Sequence, residues 1–357
     1  MHKQYFHLSA LNRINRRKFV KYSALAAGSG LFAACRQSTS TTPTSSPQGS
    51  TAGTKDKVVA SWLPIMQTSA YYVALEEGLF EKAGLEVESV KFENPNQIID
   101  SLVSGRADFG PPGAAAGITA LAVSKSPNSL KVFGLQGGQI NPTYINDGLI
   151  VKKDSNIASF KDLRGGKIGT IPGIQWKTIT RFILRQNGLD PDKDVTIEQM
   201  AVGLHISSVL SSAVDATLSL EPVGSIATAT GQAKRVITNA VAGFISDPFY
   251  SGAAVLSNKF IKERPEVAKR VVQVIDEATK LVNQDFDKYR PILSKYIALK
   301  PDQVEYVAQP LLRSFVDLNQ TDINSYQRFV DVFFKEGVLK KSVDVKTLML
   351  DKSQIGL

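Results

Sequence analysis

One cysteine, Cys35, and three histidines, His2, His7 and His205, are all that this 357-residue chain offers to thiol or imidazole chemistry. Beyond Cys35 a single imidazole remains, so disulfides, thiolate zinc sites and cysteine–histidine nucleophile pairs are excluded within that stretch. A carboxylate-only calcium or magnesium site stays open, although no Asp-x-Asp-x-Asp-Gly loop is present. The groups left over bind without making bonds, and they gather in four stretches: 62–69 leading into Tyr71, 110–114, 172–176 and 219–222. Gln67, Thr68, Ser69 and Gln175 offer neutral donors and acceptors that suit an oxyanion or a polar ring edge, or else they are solvated loop polarity. Gly110, Gly113 and Ala114 allow backbone N–H groups to approach an anion at a helix start, or simply let a helix pack closely on a sheet, and Pro112 is a candidate lining residue of the same stretch. Gly173 is a candidate ligand-binding residue in the third stretch. Trp62, Tyr71 and Trp176 read either as walls that stack on a flat or alkyl group or as ordinary core. Glu221 reads as a carboxylate for an amine at a cleft mouth, or as a helix cap or hinge contact. His205 falls at a helix start with no second histidine nearby, which favours a solvated or capping role over ligand contact.

The elements that must carry these groups alternate. Strands are expected over 58–62, 85–90, 107–110, 130–136 and 148–152, with helices between them over 70–77, 96–104 and 113–122. Leu85 to Val90 alternates apolar and polar residues, and glycines 78 and 105 follow helical runs. The pattern then starts again with strands over 167–171, 195–200, 216–220, 235–237 and 253–256, after which the chain reads as almost wholly helical. Strand–helix alternation predicts an α/β fold with largely parallel sheets. In such sheets ligands bind beyond the carboxyl ends of the strands, which is where the four stretches fall.

The opening of the chain is of another kind. Residues 1–34 hold six basic residues and no acidic one, so the formal charge falls from +9 to +3 once they are set aside. No nucleic-acid footprint remains. The apolar run 22–34 is shorter than the roughly twenty residues that a bilayer span needs. A basic start, a short apolar middle and a small-residue end predict a signal peptide over 1–34. Leu31-Phe32-Ala33-Ala34-Cys35 resembles the lipobox of bacterial lipoproteins, which implies lipidation at Cys35. Arg16-Arg17-Lys18-Phe19 resembles the twin-arginine (Tat) export motif. Ser and Thr make up 11 of the 22 residues over 36–57, which predicts a flexible linker following the anchor, 35–57 in all.

Four motifs in the body share one resemblance. Gly78-Leu79-Phe80-Glu81-Lys82-Ala83-Gly84-Leu85-Glu86-Val87, Gly105-Arg106-Ala107-Asp108-Phe109-Gly110, Asp162-Leu163-Arg164-Gly165-Gly166-Lys167 and Val214-Asp215-Ala216 with Glu221-Pro222 occur in that order. They resemble segments of the solute-binding proteins of ABC importers, in the nitrate, sulfonate and taurine group that also includes thiamine-pyrimidine-like members. The likeness runs over about 58–287. It implies a two-lobe periplasmic-binding-protein fold, each lobe a mostly parallel sheet flanked by helices and joined to the other by two crossover strands. On that template lobe 1 takes 58–147 plus 253–357 and lobe 2 takes 148–252, with Gly148 and Gly252 near the crossovers.

The resemblance implies a lipid-anchored, monomeric receptor on the periplasmic side of the cell membrane. It would deliver a small solute to an ABC permease and its ATPase, without catalytic residues, metal or cofactor. No convergent Lys/Arg set stands in the four stretches, which weakens nitrate and bicarbonate. A small sulfonate, with or without an amine as in taurine, is favoured over a pyrimidine-type heterocycle. The rival readings are an enzyme like the thiamine-pyrimidine synthases, whose cysteine and histidine chemistry this body lacks, and a sensor or accessory lipoprotein.

Overall fold

The computed structural model describes residues 55–141 and 143–357. The expected signal peptide, Cys35 and most of the expected linker lie outside the described residues. In chain order the first four strands are β1 (Asp56–Trp62), β2 (Leu85–Lys91), β3 (Phe109–Ala115) and β4 (Leu130–Gly138). Next come β5 (Asp147–Lys152), β6 (Lys167–Thr170), β7 (Thr196–Gln199), β8 (Ala216–Leu220) and β9 (Ala233–Thr238). The last two are β10 (Phe249–Ser257) and β11 (Leu311–Arg313).

These strands form two sheets, in the orders β11-β4-β10-β3-β1-β2 and β7-β6-β8-β5-β9. In the first, β1 runs parallel to β2 and β3, while β10 is antiparallel to both β3 and β4. In the second, β6 runs parallel to β7 and β8, while β5 is antiparallel to both β8 and β9. Each sheet therefore repeats one plan. One antiparallel strand arriving from the other half of the chain sits between the third and fourth parallel ones, and in the first sheet β11 adds a second antiparallel strand at the edge beside β4. Helices and sheets alternate as the sequence predicts, and the fold is mixed α/β with two helix-flanked sheets.

Most boundaries shift by a residue or two and β11 falls in the tail expected to be helical, and three further differences bear on the fold. β1 starts at Asp56, so the end of the expected linker belongs to the first sheet. The Asp56 carboxylate pairs with Arg264 and Arg270, which hold its pKa below the usual range. Second, the expected loop 110–114 is strand β3, buried throughout. Proline has no N–H for a ladder, and β1 pairs with β3 only at Ala60–Phe109, so Pro111 and Pro112 lie beyond the reach of that ladder. Third, the expected limit at 252/253 cuts through β10, which pairs with β4 from Phe249 onward. We take the lobes to follow the sheets.

The helix Pro265–Gln284 shows how the packing is encoded. Proline opens it, and Val267, Val271, Ile275, Ala278 and Val282 line one buried stripe. β10 lies under helices and is buried at every position, which its small and apolar residues permit. Among the described residues no helix is long and apolar enough to cross a membrane.

Candidate functional site

A cleft of about 450 Å³ opens at the carboxyl ends of strands from both sheets. The turn after β1 supplies Leu63, Ile65 and Gln67, and β3 supplies Gly113 and Ala115. From the second sheet come Ile171, Gln175 and Trp176 after β6, Val202 after β7, and Leu220 at the end of β8. Ser251 and Gly252 of β10 form the back, and Tyr296 closes one side. Most of the wall is apolar, with a few neutral polar groups. The charged members, Lys91 and Glu93, stand 3.8 Å apart at the exposed rim.

Gln175 does more than line this space. It is the second residue of the helix Ile174–Gln186 in the second lobe, yet its Oε1 accepts from Gly117 N at 2.8 Å in the first. Its Nε2 donates to Ser251 O at 2.8 Å. The start of the helix Ala116–Lys125, expected as an anion site, is thus occupied by a side-chain amide. Gly113 N is also taken, donating to Gln136 Oε1 at 2.9 Å. Gly113 has φ +105°, and a Cβ there would stand 2.6 Å from Thr68 Oγ1, so only glycine fits. The helix Ile174–Gln186 carries no side-chain cap, and Gly173 before it, also at φ +105°, donates its N–H to Gln199 Oε1. Its first-turn N–H groups and its dipole are the better place for an anion.

Of the residues singled out from the sequence, Gln67, Gly113, Gln175 and Trp176 meet at the cleft. The others stand elsewhere. Trp62 Nε1 and Tyr71 OH both donate to Ser89 Oγ at 2.8 Å, and both rings are core. Tyr72 stacks on the cleft residue Tyr296, with 4.4 Å between centroids, so the aromatic wall lies one layer nearer the cleft than Trp62 and Tyr71. Thr68 Oγ1 donates to Leu63 O at 3.0 Å and so shapes the turn without lining it. Gly110, Pro112 and Ala114 are buried strand residues, and Gly173 is the half-buried N-cap of the helix Ile174–Gln186, next to the lining residue Pro172. Glu221 is 2% exposed; its carboxylate pairs with Arg235 and accepts from Ser225 N at 3.2 Å. Burial pushes this carboxyl up, against the pull of Arg235. Glu221 is therefore a buried helix cap and ion-pair partner, and its carboxylate is not presented to a solute.

A family model described as NMT1/THI5 like matches residues 66–287. The chain belongs to the NMT1/THI5-like family. This NMT1/THI5-like chain is 27% identical over 290 residues to a Brucella abortus (strain 2308) protein named only as a binding protein, covering 79% of this chain and 86% of the relative. It is 25% identical over 280 residues to a Bacillus subtilis (strain 168) protein named for binding aliphatic sulfonates, covering 76% and 79%. The alkanesulfonate-binding protein SsuA of Xanthomonas axonopodis pv. citri, bound to MOPS, shares the fold with a TM-score of 0.65 at 20% identity, over 82% of this chain and 98% of that one. The desulfurization enzyme DSZB shares it too, with a TM-score of 0.63 at 15% identity, over 85% and 98%.

His205 of this NMT1/THI5-like chain is neither solvated nor capping. It is fully buried, with Nδ1 2.6 Å from Ser219 Oγ and Nε2 3.1 Å from Met200 O. The Met200 carbonyl can only accept, so Nε2 carries the proton and Nδ1 is left to accept from the Ser219 hydroxyl. Together these contacts tie the cleft segment after β7 to the end of β8. Burial lowers the imidazole pKa to about 4. The unfolded chain then binds more protons below the ordinary value of about 6.5, so His205 adds stability above that pH and loses it toward pH 4. Asp147, pushed up to about 6 by burial, works in the opposite sense over part of this window. We expect wild type minus His205→Gln unfolding free energy to rise by on the order of 3 kcal/mol from pH 4 to 7, measured by urea titration. A flat difference would contradict a neutral buried imidazole.

Proposed function

We propose that this chain is the solute-capturing component of an ABC importer. It is held by a lipid on Cys35 at the periplasmic face of the cell membrane, exported with its twin-arginine signal, and acts as a monomer that hands its solute to a permease and its ATPase. The observation that carries this reading is a single cleft built from strand ends of both sheets, apolar in its walls and fitted with neutral polar groups, with β5 and β10 as the crossovers about which the lobes turn. Capture then amounts to a shift between open and closed arrangements of the lobes. Among the described residues the cleft lining contains no cysteine or histidine, which favours binding over the enzyme reading that DSZB's fold keeps in view.

An alkyl sulfonate is the favoured solute. The uncapped start of the helix Ile174–Gln186 suits an oxyanion, the apolar wall suits an alkyl chain, and the Bacillus subtilis relative is named for this class. A pyrimidine-type ring, stacked on Tyr296 or Trp176, is the second reading.

Thermal unfolding with each class of solute tests the assignment. An alkanesulfonate at one hundred times its dissociation constant is expected to stabilise the protein by about 2.7 kcal/mol. A shift given only by heterocycles, nitrate or bicarbonate would move the solute class, and no shift from any of them would overturn the reading.

A further inference from the structure

Gln67 enters the cleft from the turn after β1 and is 1% exposed. A chain of partners fixes which way its amide faces. Asp147 accepts from Val241 N at 3.0 Å and from Asn146 Nδ2 at 2.9 Å. An ionised carboxylate can only accept, so Asn146 must turn its nitrogen to Asp147 and its Oδ1 the other way. That Oδ1 accepts from Gln67 Nε2 at 2.8 Å and from Ser251 Oγ, another cleft residue, at 3.3 Å. Gln67 therefore keeps its NH₂ on Asn146, and the amide cannot flip without setting two acceptors against each other. Its Oε1 is shut off from solvent and has no hydrogen-bond partner among the described residues.

An unpaired buried acceptor is costly, and this one belongs to a residue that lines the cleft. The carboxylates nearby do not duplicate it: Glu221 is paired with Arg235, and Glu93 stands at the exposed rim beside Lys91. We infer that the solute carries an N–H or O–H group that donates to Gln67 Oε1, so that among solutes of one size the cleft selects those bearing a donor. This rests on the reading of the cleft as a solute site and deepens it. The solute is then bifunctional, with a group for the helix start at one end and a donor at the other, which a plain alkanesulfonate or nitrate lacks.

The test uses pairs that differ in the donor. Propane-1-sulfonate is compared with 2-aminoethanesulfonate and 2-hydroxyethanesulfonate, and 1,3-dimethyluracil with uracil, by calorimetric titration of the full chain. The donor-bearing member of the pair that binds is expected to do so about tenfold to a hundredfold more tightly. In Gln67→Met, which keeps the length but has no acceptor, that ratio should fall to about one. Equal wild-type affinities within a binding pair would overturn the inference and leave the solute reading standing. A ratio that survives in Gln67→Met would also overturn it. Silence from every compound would overturn the solute classes assigned above and this inference with them. The wild-type comparison needs no variant, so poor folding of Gln67→Met does not remove the test.

Discussion

Arg235→Met is expected to lower the unfolding free energy by about 3–5 kcal/mol at pH 7, because it strands the buried Glu221 carboxylate without its counter-charge. Glu221 is 2% exposed, and among the described residues its carboxylate is bonded to Arg235 and Ser225, so the guanidinium is its one counter-charge there. The deficit should shrink as the pH falls. A carboxyl with a folded pKa above its unfolded one gains protons on folding, so acid relieves the strandedness. Urea titrations at pH 7 and pH 5 would show both effects. The companion change Glu221→Gln is expected to weaken all solutes alike, through the wall that Leu220 shares with it. Loss confined to amine-bearing solutes would return Glu221 to the cleft, and stability within 1 kcal/mol of wild type for Arg235→Met would contradict the buried pair.

Asn146→Leu is the second large effect. Asn146 is fully buried and joins Asp147 of β5 to Gln67 of the first lobe, so it ties a crossover strand to the cleft. Leucine fills a similar volume but leaves Gln67 Nε2 and one Asp147 oxygen without partners, and it also removes the longer contact from the Ser251 hydroxyl, which can turn elsewhere. Each orphan costs about 1–3 kcal/mol, giving a loss of about 2–6 kcal/mol. The loss of Asn146 also frees the Gln67 amide to turn, so solute selectivity should fall together with stability. Unfolding by denaturant with a parallel titration of one bound solute tests the pair of effects. A destabilised variant with unchanged selectivity would mean that Asn146 serves the fold alone.

What the sequence made legible was what depends on near neighbours. The alternation in β2 puts Leu85 inside and Glu86 and Glu88 outside, and the helix Pro265–Gln284 repeats valines at helical spacing under a proline start. The doubled βα pattern gave two sheets, and strand-to-helix turns located Gln67, Gln175 and Trp176. Contacts between distant positions were not legible. Gln67 meets Asn146 across 79 positions and Gln175 meets Gly117 across 58, and nothing local marks either pair. Pro111 and Pro112 read as a loop because the early departure of β1 from β3 has no local signal. Trp62, Tyr71 and Glu221 fall in the right stretches but face the wrong way, since a loop position alone does not say which side is wet. Tyr296, a cleft wall, lies in a helical tail where no motif singled it out.

The most direct test of a solute site between the lobes is a titration that compares the two tryptophans. Trp176 lines the cleft, whereas Trp62 donates to Ser89 and packs among tyrosines behind the wall. With whichever solute gives the largest thermal shift, calorimetry is expected to show one saturable site. Trp176→Ala should weaken it at least tenfold, as loss of a large aromatic contact does, while Trp62→Phe leaves it within about twofold. Binding untouched by Trp176→Ala, or equal losses from both changes, would contradict the cleft as the solute site.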